Sequence, residues 1–275
     1  MRELRGRAAI VTGASRGIGT FIAGALAREG MRLLIAARST GELEAIASEL
    51  RASGGQVTAC AADVGNAAGR EGLVAAARRE LGGIDVLVNN AGIECMGAFD
   101  TFDATEMARI IDVNLTASLA LARLCLPDMV AARRGHIVNI ASLAGKSGAP
   151  FNAPYAASKG GLIAFTRALR IEYHGTGVSA SVICPGFVSE AGMFHRTAGG
   201  EIRPPRLLGI SPPARVAGAV VRAIRRDLSE IVVNPGPMRL VLALGELSPR
   251  FSEWTVRALG VTEIFRKRIG RDAPR

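Results

Sequence analysis

The sequence is poor in aromatic residues, cysteine and histidine, and each shortage excludes certain kinds of core or functional site. Only 4% of its 275 residues are aromatic, so its core depends on small and branched aliphatic side chains packed closely together. The four cysteines, Cys60, Cys95, Cys125 and Cys184, have neither metal-ligand nor redox spacing, and we interpret them as small buried hydrophobes in a reducing cytoplasm. The three histidines are not spaced with carboxylates as in metal sites, so we expect no metal.

Other features that would define a class are missing as well. We find no signal peptide, low-complexity tract or internal linker, and we expect no apolar run to approach the roughly 18 residues needed to cross a bilayer. Acidic residues are outnumbered, 24 against 34 basic ones, which gives a net charge of +10. The charge alone would suit a nucleic-acid-binding or regulatory protein, but no recognition helix, zinc finger or RNA-binding signature accompanies it. We therefore expect no nucleic-acid partner.

The chain does contain alternating strand and helix patterns. Helical patterns lie near residues 17–29, 39–53, 66–82, 103–131, 152–174 and 212–226. Between them, short apolar runs predict about seven strands, which end near Val11, Ala36, Ala61, Val88, Ile140, Cys184 and Val233. This alternation predicts an α/β fold, a doubly wound parallel sheet with helices on both faces. Residues that follow the strands would then meet at one edge of the sheet.

A glycine-rich turn follows the first predicted strand. Gly13, Gly17 and Gly19 would let the backbone turn tightly into a helix and approach a pyrophosphate closely. The helix N-terminus then offers free N–H groups and partial positive charge to phosphates. The order G-x-x-x-G-x-G differs from the standard dinucleotide fingerprint, but its place after the first strand favours a dinucleotide site.

A serine, a tyrosine and a lysine are spaced to act together. Tyr155 and Lys159 stand four residues apart, which places them on one face of a helix. A phenol has a pKa of about 10, and a neighbouring ammonium lowers it. Ser142, whose hydroxyl can polarise a carbonyl oxygen, would complete a general acid/base for interconverting a ketone and an alcohol. Taken alone, such a pair is more often a half-buried tyrosine beside a solvated lysine.

With these motifs in order, the chain resembles the classical short-chain dehydrogenase/reductase family from about Leu4 to Asn234. The residues that carry the resemblance are Thr12, Gly13, Gly17, Ile18, Gly19, Asp63, Asn89, Asn90, Ala91, Gly92, Asn114, Ser142, Tyr155, Lys159, Pro185 and Gly186. The resemblance implies a Rossmann-type fold and an NAD(P)-dependent oxidoreductase acting on CH–OH groups. It also implies a small-molecule carbonyl or alcohol substrate and a homodimer or homotetramer.

The resemblance also implies roles for individual residues. Catalysis would fall to Ser142, Tyr155, Lys159 and Asn114, the last holding a water that relays protons to Lys159. The cofactor would contact Gly13, Ser15, Arg16, Gly17, Ile18, Gly19, Arg38, Ser39, Asp63, Val64, Asn90, Ala91, Gly92, Tyr155, Lys159, Pro185, Gly186 and Val188. Substrate contacts are expected from Glu94, Met96, Phe151, Met193 and Phe194.

Charge after the second strand predicts which cofactor is preferred. NAD-selective members carry an acidic residue there, and this chain has Ala37 at that position, followed by Arg38 and Ser39. Arg16 lies in the glycine turn, close to the same ribose. Two guanidinium groups without a carboxylate suit a 2′-phosphate, so we expect NADP(H) rather than NAD(H). The alternative is that both arginines are solvated surface residues.

Two departures from the family pattern concern the substrate end. Glu190 occupies the position where the family often has a threonine that holds the nicotinamide carboxamide. The common ketoacyl-carrier-protein reductases end shortly after the last strand, whereas this chain continues. We therefore expect a core of residues 1–235, with a substrate lid near 189–209, and a helical extension, 236–275, packed on or near it within a single domain. In this the chain resembles members that act on bulky apolar carbonyls such as lipids or steroids, with a 3-oxoacyl-carrier-protein reductase as the alternative.

The end of the chain carries most of its charge. From Glu201 onward, 14 basic residues stand against 7 acidic ones, which is +7 of the total +10. A basic segment with apolar spacing can lie on an anionic membrane, pack on a partner subunit or keep the protein soluble. The apolar stretch Met238–Leu247 is too short to span a bilayer, so we expect it to cap the substrate cleft or form a dimer contact. The expected location is the cytoplasm, with peripheral membrane contact as a further option.

Overall fold

The computed structural model describes residues 1, 3–189, 208–236 and 238–270. Within them, seven parallel strands form one sheet in the order β3-β2-β1-β4-β5-β6-β7. The strands are β1 Ala8–Thr12, β2 Arg32–Ala37, β3 Gln56–Ala61, β4 Val86–Asn89, β5 Gly135–Ile140, β6 Val178–Pro185 and β7 Glu230–Val233. The predicted doubly wound parallel sheet is confirmed, and the strand order reverses direction between β1 and β4.

Helices cover both faces of this sheet. They are α1 Ile18–Arg28, α2 Thr40–Ala52, α3 Ala67–Leu81, α4 Ala104–Ile111, α5 Ala117–Ala131, α6 Ala144–Ser147, α7 Ala153–Glu172, α8 Pro213–Arg226, α9 Met238–Leu247, α10 Pro249–Ala258 and α11 Val261–Arg268. Alternate residues of β1 enter different cores: Val11 packs with α1 and α8, and Ile10 packs with α3 and α5. The two-residue period of a strand therefore explains why its residues are apolar throughout.

The long helix predicted over 103–131 is interrupted by a π-helical turn. Residues Asp112–Thr116 form this turn between α4 and α5. Such turns are rare and are found frequently at functional sites. Here the turn carries Asn114, one of the predicted catalytic residues, to the carboxyl edge of the sheet.

The continuous run Ala104–Ala131 is long and apolar enough to cross a membrane by length and composition, with a mean hydropathy of 1.4. This differs from the expectation that no segment approaches that length. The buried side chains of its second half, among them Leu121, Ala122 and Cys125, pack in the core beneath β1 and β4. The apolar character of the helix is explained by that packing.

The three helices after β7 have an inward and an outward side. Met238, Ile264 and Phe265 are buried, whereas Leu247 is 83% exposed and Trp254 is 62% exposed. A membrane or subunit contact through the outward side stays a prediction.

Candidate active site

The end of β1 is tied to the end of β4 by side-chain hydrogen bonds. Thr12 Oγ1 donates to the carbonyl of Val88 at 3.3 Å and accepts from the backbone N–H groups of Asn90 and Ala91 at 3.0 and 3.1 Å. Asn90 Nδ2 donates to the carbonyls of Thr12 and Gly13 at 2.9 and 3.0 Å. These bonds fix the crevice where the strand order reverses, which is where open α/β sheets bind ligands.

The glycine turn fits closely against this crevice. Gly13 has a φ of +67°, and a Cβ there would lie 2.7 Å from the Cα of Ala91. A Cβ on Gly19 would collide with the carbonyl oxygen of Gly13. Gly17 precedes α1 without a side-chain cap, and the first turn of α1 holds no acidic residue. The N–H groups of that turn are thus available to an anion.

A cavity of about 160 Å³ lies in front of this turn. Most of the residues predicted to hold the cofactor line it: Gly13, Ser15, Arg16, Gly17, Ile18, Arg38, Ser39, Asp63, Val64, Asn90, Ala91 and Gly92. Gly19 does not, and its part is to let α1 approach the turn. Arg16 and Arg38 are exposed at the rim, and within the described ranges neither forms an ion pair. Two unpaired guanidinium groups, a free helix N-terminus and a close glycine backbone fit a phosphorylated dinucleotide.

A second, larger cavity of about 200 Å³ continues from the first. Ile18, Asn90 and Gly92 line both cavities, so the two are parts of one crevice. The larger part is lined by Ser142, Tyr155 and Lys159 together with Pro185, Gly186 and Val188. Three of the four residues predicted for catalysis therefore lie at the same end as those predicted for the second half of the cofactor, whereas Asn114 lines neither cavity.

Tyr155 and Lys159 are buried side by side on α7. They are 8% and 3% exposed, and Lys159 Nζ lies 5.6 Å from the centroid of the Tyr155 ring. Nζ donates a hydrogen bond to the carbonyl of Ile140 at 2.9 Å. Burial lowers the pKa of Lys159 to about 8. Ser142 follows β5, and its Oγ accepts from the N–H of Ala144 at 3.2 Å, so its hydroxyl hydrogen can point into the cavity.

Asn114 is buried beside Lys159. Its Nδ2 donates to the carbonyl of Ile93 at 2.9 Å and to Ser158 Oγ at 3.0 Å, and its Oδ1 accepts from the N–H of Ile93 at 2.8 Å. A Cβ built on Gly92 would lie 3.2 Å from Oδ1 of Asn114 and 3.5 Å from Nζ of Lys159. Because both amide hydrogens are used, a relaying water would bond to the second lone pair of Oδ1.

The predicted substrate residues are dispersed. Glu94 lines the larger cavity, where Asn152 Nδ2 donates to its Oε2 at 3.2 Å. Met96 and Phe151 line neither cavity. Phe151 has a φ of +60°, and its carbonyl accepts from the N–H of Gly97 at 3.0 Å. Met193 and Phe194, like Glu190, lie outside the described residues.

The helices after β7 supply an apolar roof to the larger cavity. Its members are Met238, Val241, Leu242, Val256, Leu259, Val261 and Phe265. The sequence predicted a cap only from Met238–Leu247, and the contribution of α10 and α11 was missed. Asn152 and Lys146, which also line this cavity, were missed too. For α11 the signal was the spacing of Val261 and Phe265, four residues apart, which places them on one helix face.

The remaining candidates lie away from this crevice or outside the described ranges. His136 is buried, its Nε2 lies 2.8 Å from Ser181 Oγ, and burial lowers its pKa to about 4. His174 is exposed, and His195 is not among the described residues. Cys125 and Cys184 are buried, whereas Cys60 and Cys95 are partly buried. Across the described part of the chain, no three His, Cys, Asp or Glu residues are grouped as metal ligands.

Comparisons with known proteins agree with this geometry. A family model described as short chain dehydrogenase matches residues 7–200. A protein named ketoacyl reductase HetN from Nostoc sp. is 44% identical over 273 residues, which cover 98% of this chain and 94% of that protein. This alignment therefore extends through most of α9–α11.

Two solved structures are similar as well. A metagenomic short-chain oxidoreductase in complex with NADP is 34% identical, with a TM-score of 0.72, and covers 84% of this chain and 98% of that one. A variant of the actinorhodin polyketide ketoreductase with NADPH is 33% identical, with a TM-score of 0.76, and covers 82% and 95%.

Proposed function

The chain belongs to the short-chain dehydrogenase family and is an oxidoreductase acting on CH–OH groups, and on that premise we propose that it is an NADP(H)-dependent reductase of bulky apolar ketones. The observation that carries the proposal is the single crevice. Unpaired arginines line one end of it, and Ser142, Tyr155 and Lys159 lie under an apolar roof at the other.

The proposed chemistry follows from the positions of the side chains. A bound NADPH would supply the hydride to the carbonyl carbon. Tyr155 donates its phenolic proton to the carbonyl oxygen, which Ser142 polarises by hydrogen bonding. Lys159, held by the carbonyl of Ile140, stabilises the resulting phenolate, because a positive charge close to a phenol favours its ionised form. Asn114, through its remaining lone pair, would hold the water that returns the proton.

The preference for NADP(H) rests on Arg16 and Arg38. Both line the smaller cavity at the end of β2, where Ala37 leaves no carboxylate to accept ribose hydroxyls. The NADP and NADPH named for the two similar structures support the same choice. Asp63 brings a carboxylate to this cavity, and its Oδ1 already accepts a hydrogen bond from the N–H of Gly65 at 2.9 Å.

Replacing Arg38 by alanine tests the cofactor proposal. Loss of one charged hydrogen-bonding partner should weaken NADPH about ten- to a hundredfold and change NADH little. The measurement is the ratio of kcat/KM for the two cofactors at fixed ionic strength. The control is Arg28→Ala, which removes an exposed arginine at the opposite end of α1. A wild type that prefers NADH, or an unchanged ratio in Arg38→Ala, would show that these arginines are surface residues.

The substrate class rests on the roof. Apolar side chains from α9, α10 and α11 close the cavity beyond Tyr155. Besides Lys159, the charged and amide side chains on its wall, among the described residues, are Asn90, Glu94, Lys146, Asn152 and Asn234. A bulky apolar body with one carbonyl matches this lining.

A 3-oxoacyl thioester is the second candidate, favoured by the name ketoacyl reductase of the Nostoc relative. Steady-state kinetics with a series of ketones of increasing apolar size, including 3-oxoacyl thioesters, separates the two candidates. The proposal requires kcat/KM to rise with the apolar body, whether or not a thioester is present. Preference for small polar ketones would contradict it.

A further inference from the structure

Asn234 lies at the catalytic end of the crevice, although no motif points to it. It follows β7, whose Val233 pairs in register with Pro185 of β6. The N–H of Gly186 donates to the carbonyl of Val233 at 3.0 Å. A Cβ built on Gly186 would collide with Oδ1 of Asn234. The asparagine therefore contacts the Pro185–Gly186 segment, and like that segment it lines the larger cavity.

The amide of Asn234 is buried but unpaired. Neither its Nδ2 nor its Oδ1 has a hydrogen-bond partner among the residues that the structure describes. Two other asparagines at the same edge differ: Nδ2 of Asn90 donates to two carbonyls, and the amide of Asn114 makes three hydrogen bonds. Buried amides are nearly always paired, because an unpaired one costs free energy. Both the donor and the acceptor of the Asn234 amide are therefore unused among the described residues.

The chemistry of a suitable partner follows from the amide itself. Asn234 offers one carbonyl acceptor and one NH₂ donor. A carboxamide offers the same two groups, so two amides can pair by reciprocal hydrogen bonds. At position 190, where family members often have a threonine for the nicotinamide carboxamide, this chain has glutamate, which when ionised can only accept. The donor to the carboxamide oxygen must then be Ser189, a backbone N–H group or another side chain of the crevice, and Asn234 is such a side chain.

We propose that Asn234 binds the carboxamide of the nicotinamide ring of NADP(H). This rests on the proposed function, under which the nicotinamide half of the cofactor lies beside Pro185 and Gly186. The amide atoms are covered in the structure, and binding requires the side chain to rotate them towards the cavity. No described hydrogen bond holds them in their present orientation.

The test compares ligands that differ at the carboxamide. NADP⁺ carries it, the 3-acetylpyridine analogue of NADP⁺ has a methyl group instead of the NH₂, and 2′-phospho-ADP-ribose has no nicotinamide at all. Affinities are measured by calorimetry for wild type, Asn234→Leu and Asn234→Asp. Asn152→Leu is the control, because Asn152 also lines this cavity with an unpaired buried Oδ1 but lies beside Glu94.

Asn234→Leu should bind NADP⁺ about tenfold more weakly, the effect of losing a hydrogen-bonded amide partner. Wild type should prefer NADP⁺ to the acetylpyridine analogue, and Asn234→Leu should lose that preference. Asn234→Asp keeps the shape but loses the donor, and it should weaken NADP⁺ similarly. Binding of 2′-phospho-ADP-ribose should stay within about twofold in every variant, which also verifies folding.

Three results would overturn the inference. Wild-type NADP⁺ affinity in both Asn234 variants would mean that the amide does not contact the cofactor. Loss of 2′-phospho-ADP-ribose binding in both would assign the residue a purely structural role. If the wild-type protein binds 2′-phospho-ADP-ribose as tightly as NADP⁺, the inference is refuted but the proposed arginine site is not. If it binds neither of these ligands, the proposed function is refuted as well.

Discussion

Replacing Lys159 with methionine should abolish turnover and yet leave the protein as stable as wild type, or more stable, near pH 7. The ammonium is buried, and its pKa is lowered from 10.5 to about 8. Since a pKa difference of one corresponds to 1.36 kcal/mol, keeping Lys159 charged in the folded protein costs about 3 kcal/mol. Methionine removes that cost but loses the hydrogen bond to the carbonyl of Ile140, worth about 1.5–3 kcal/mol for a charged donor. The net change is about 0–2 kcal/mol in favour of the variant.

The pH dependence identifies the cause. Since the folded pKa lies below the unfolded one, the unfolded chain binds more protons between about pH 8 and pH 10.5. The cost of the charge is therefore present in full below that window and is lost as the pH rises through it. The stability difference between the variant and wild type should shrink by about 1 kcal/mol between pH 7 and pH 9. Burial raises the pKa of Cys125 and Cys184 to about 12, but both thiols are present in both proteins and cancel in the difference.

Urea denaturation of both proteins across this pH range measures the difference directly. Lys267→Met is the matched control, because Lys267 is exposed and should change neither the stability nor its pH dependence. Lys146→Met gives the opposite case, since Lys146 is buried but paired with Glu230 at 2.9 Å, and its loss should destabilise the protein. The reasoning is refuted if Lys159→Met is clearly less stable near pH 7, or if its difference from wild type does not change with pH.

Three further outcomes are expected. Tyr155→Phe should lower kcat by about a hundredfold or more with little change in the Kd for NADPH, and near-normal kcat would contradict the mechanism. Stability should fall by up to about 3 kcal/mol as the pH drops from about 6.5 through about 4, because His136 is buried neutral with a lowered pKa; denaturation of His136→Gln should show a smaller loss. Phe265→Ala should raise KM about tenfold for a bulky ketone but not for a small one. Leu247→Ala, at an 83% exposed position, should change neither KM. Equal effects of Phe265→Ala on both ketones would contradict the placement of Phe265 in the roof of the substrate cavity.

The sheet and the crevice could be predicted because both depend on local patterns. Each strand is a short apolar run, and crossovers between parallel strands are nearly always right-handed, so the strand ends were expected at one edge of the sheet. Gly13 and Asn90 follow a strand directly, Ser142 lies two residues beyond β5, and Pro185 is the last residue of β6. The structure places all four on the crevice wall. To predict where such a residue lies, it was enough to know that it is close in sequence to the end of a strand.

The substrate residues could not be predicted in that way, because side-chain direction depends on backbone detail. Phe151 stands four residues before Tyr155, but its φ of +60° marks a turn, and the ring does not line the cavity. The π-helical turn at Asp112–Thr116 could not be predicted either, because a single turn spans too few residues to show a period of its own. Asn234 was invisible for another reason: an unpaired amide is a property of its surroundings and not of its sequence.

The residues proposed for proton transfer and the residues of the roof are far apart along the chain. Under the proposed mechanism the groups that move protons lie between Asn114 and Lys159, whereas the side chains that close the larger cavity come from Met238 onward. Lys146 connects them: it stands four residues after Ser142 and lines the cavity, and its Nζ lies 2.9 Å from Glu230 of β7 and 4.0 Å from Glu246 of α9. Its partners lie at the start of the last strand and in α9, so this ammonium contacts both elements from the segment that follows the serine. Under the proposed function, a local segment of the sequence thus encodes the chemistry, while substrate size depends on packing between segments about a hundred residues apart.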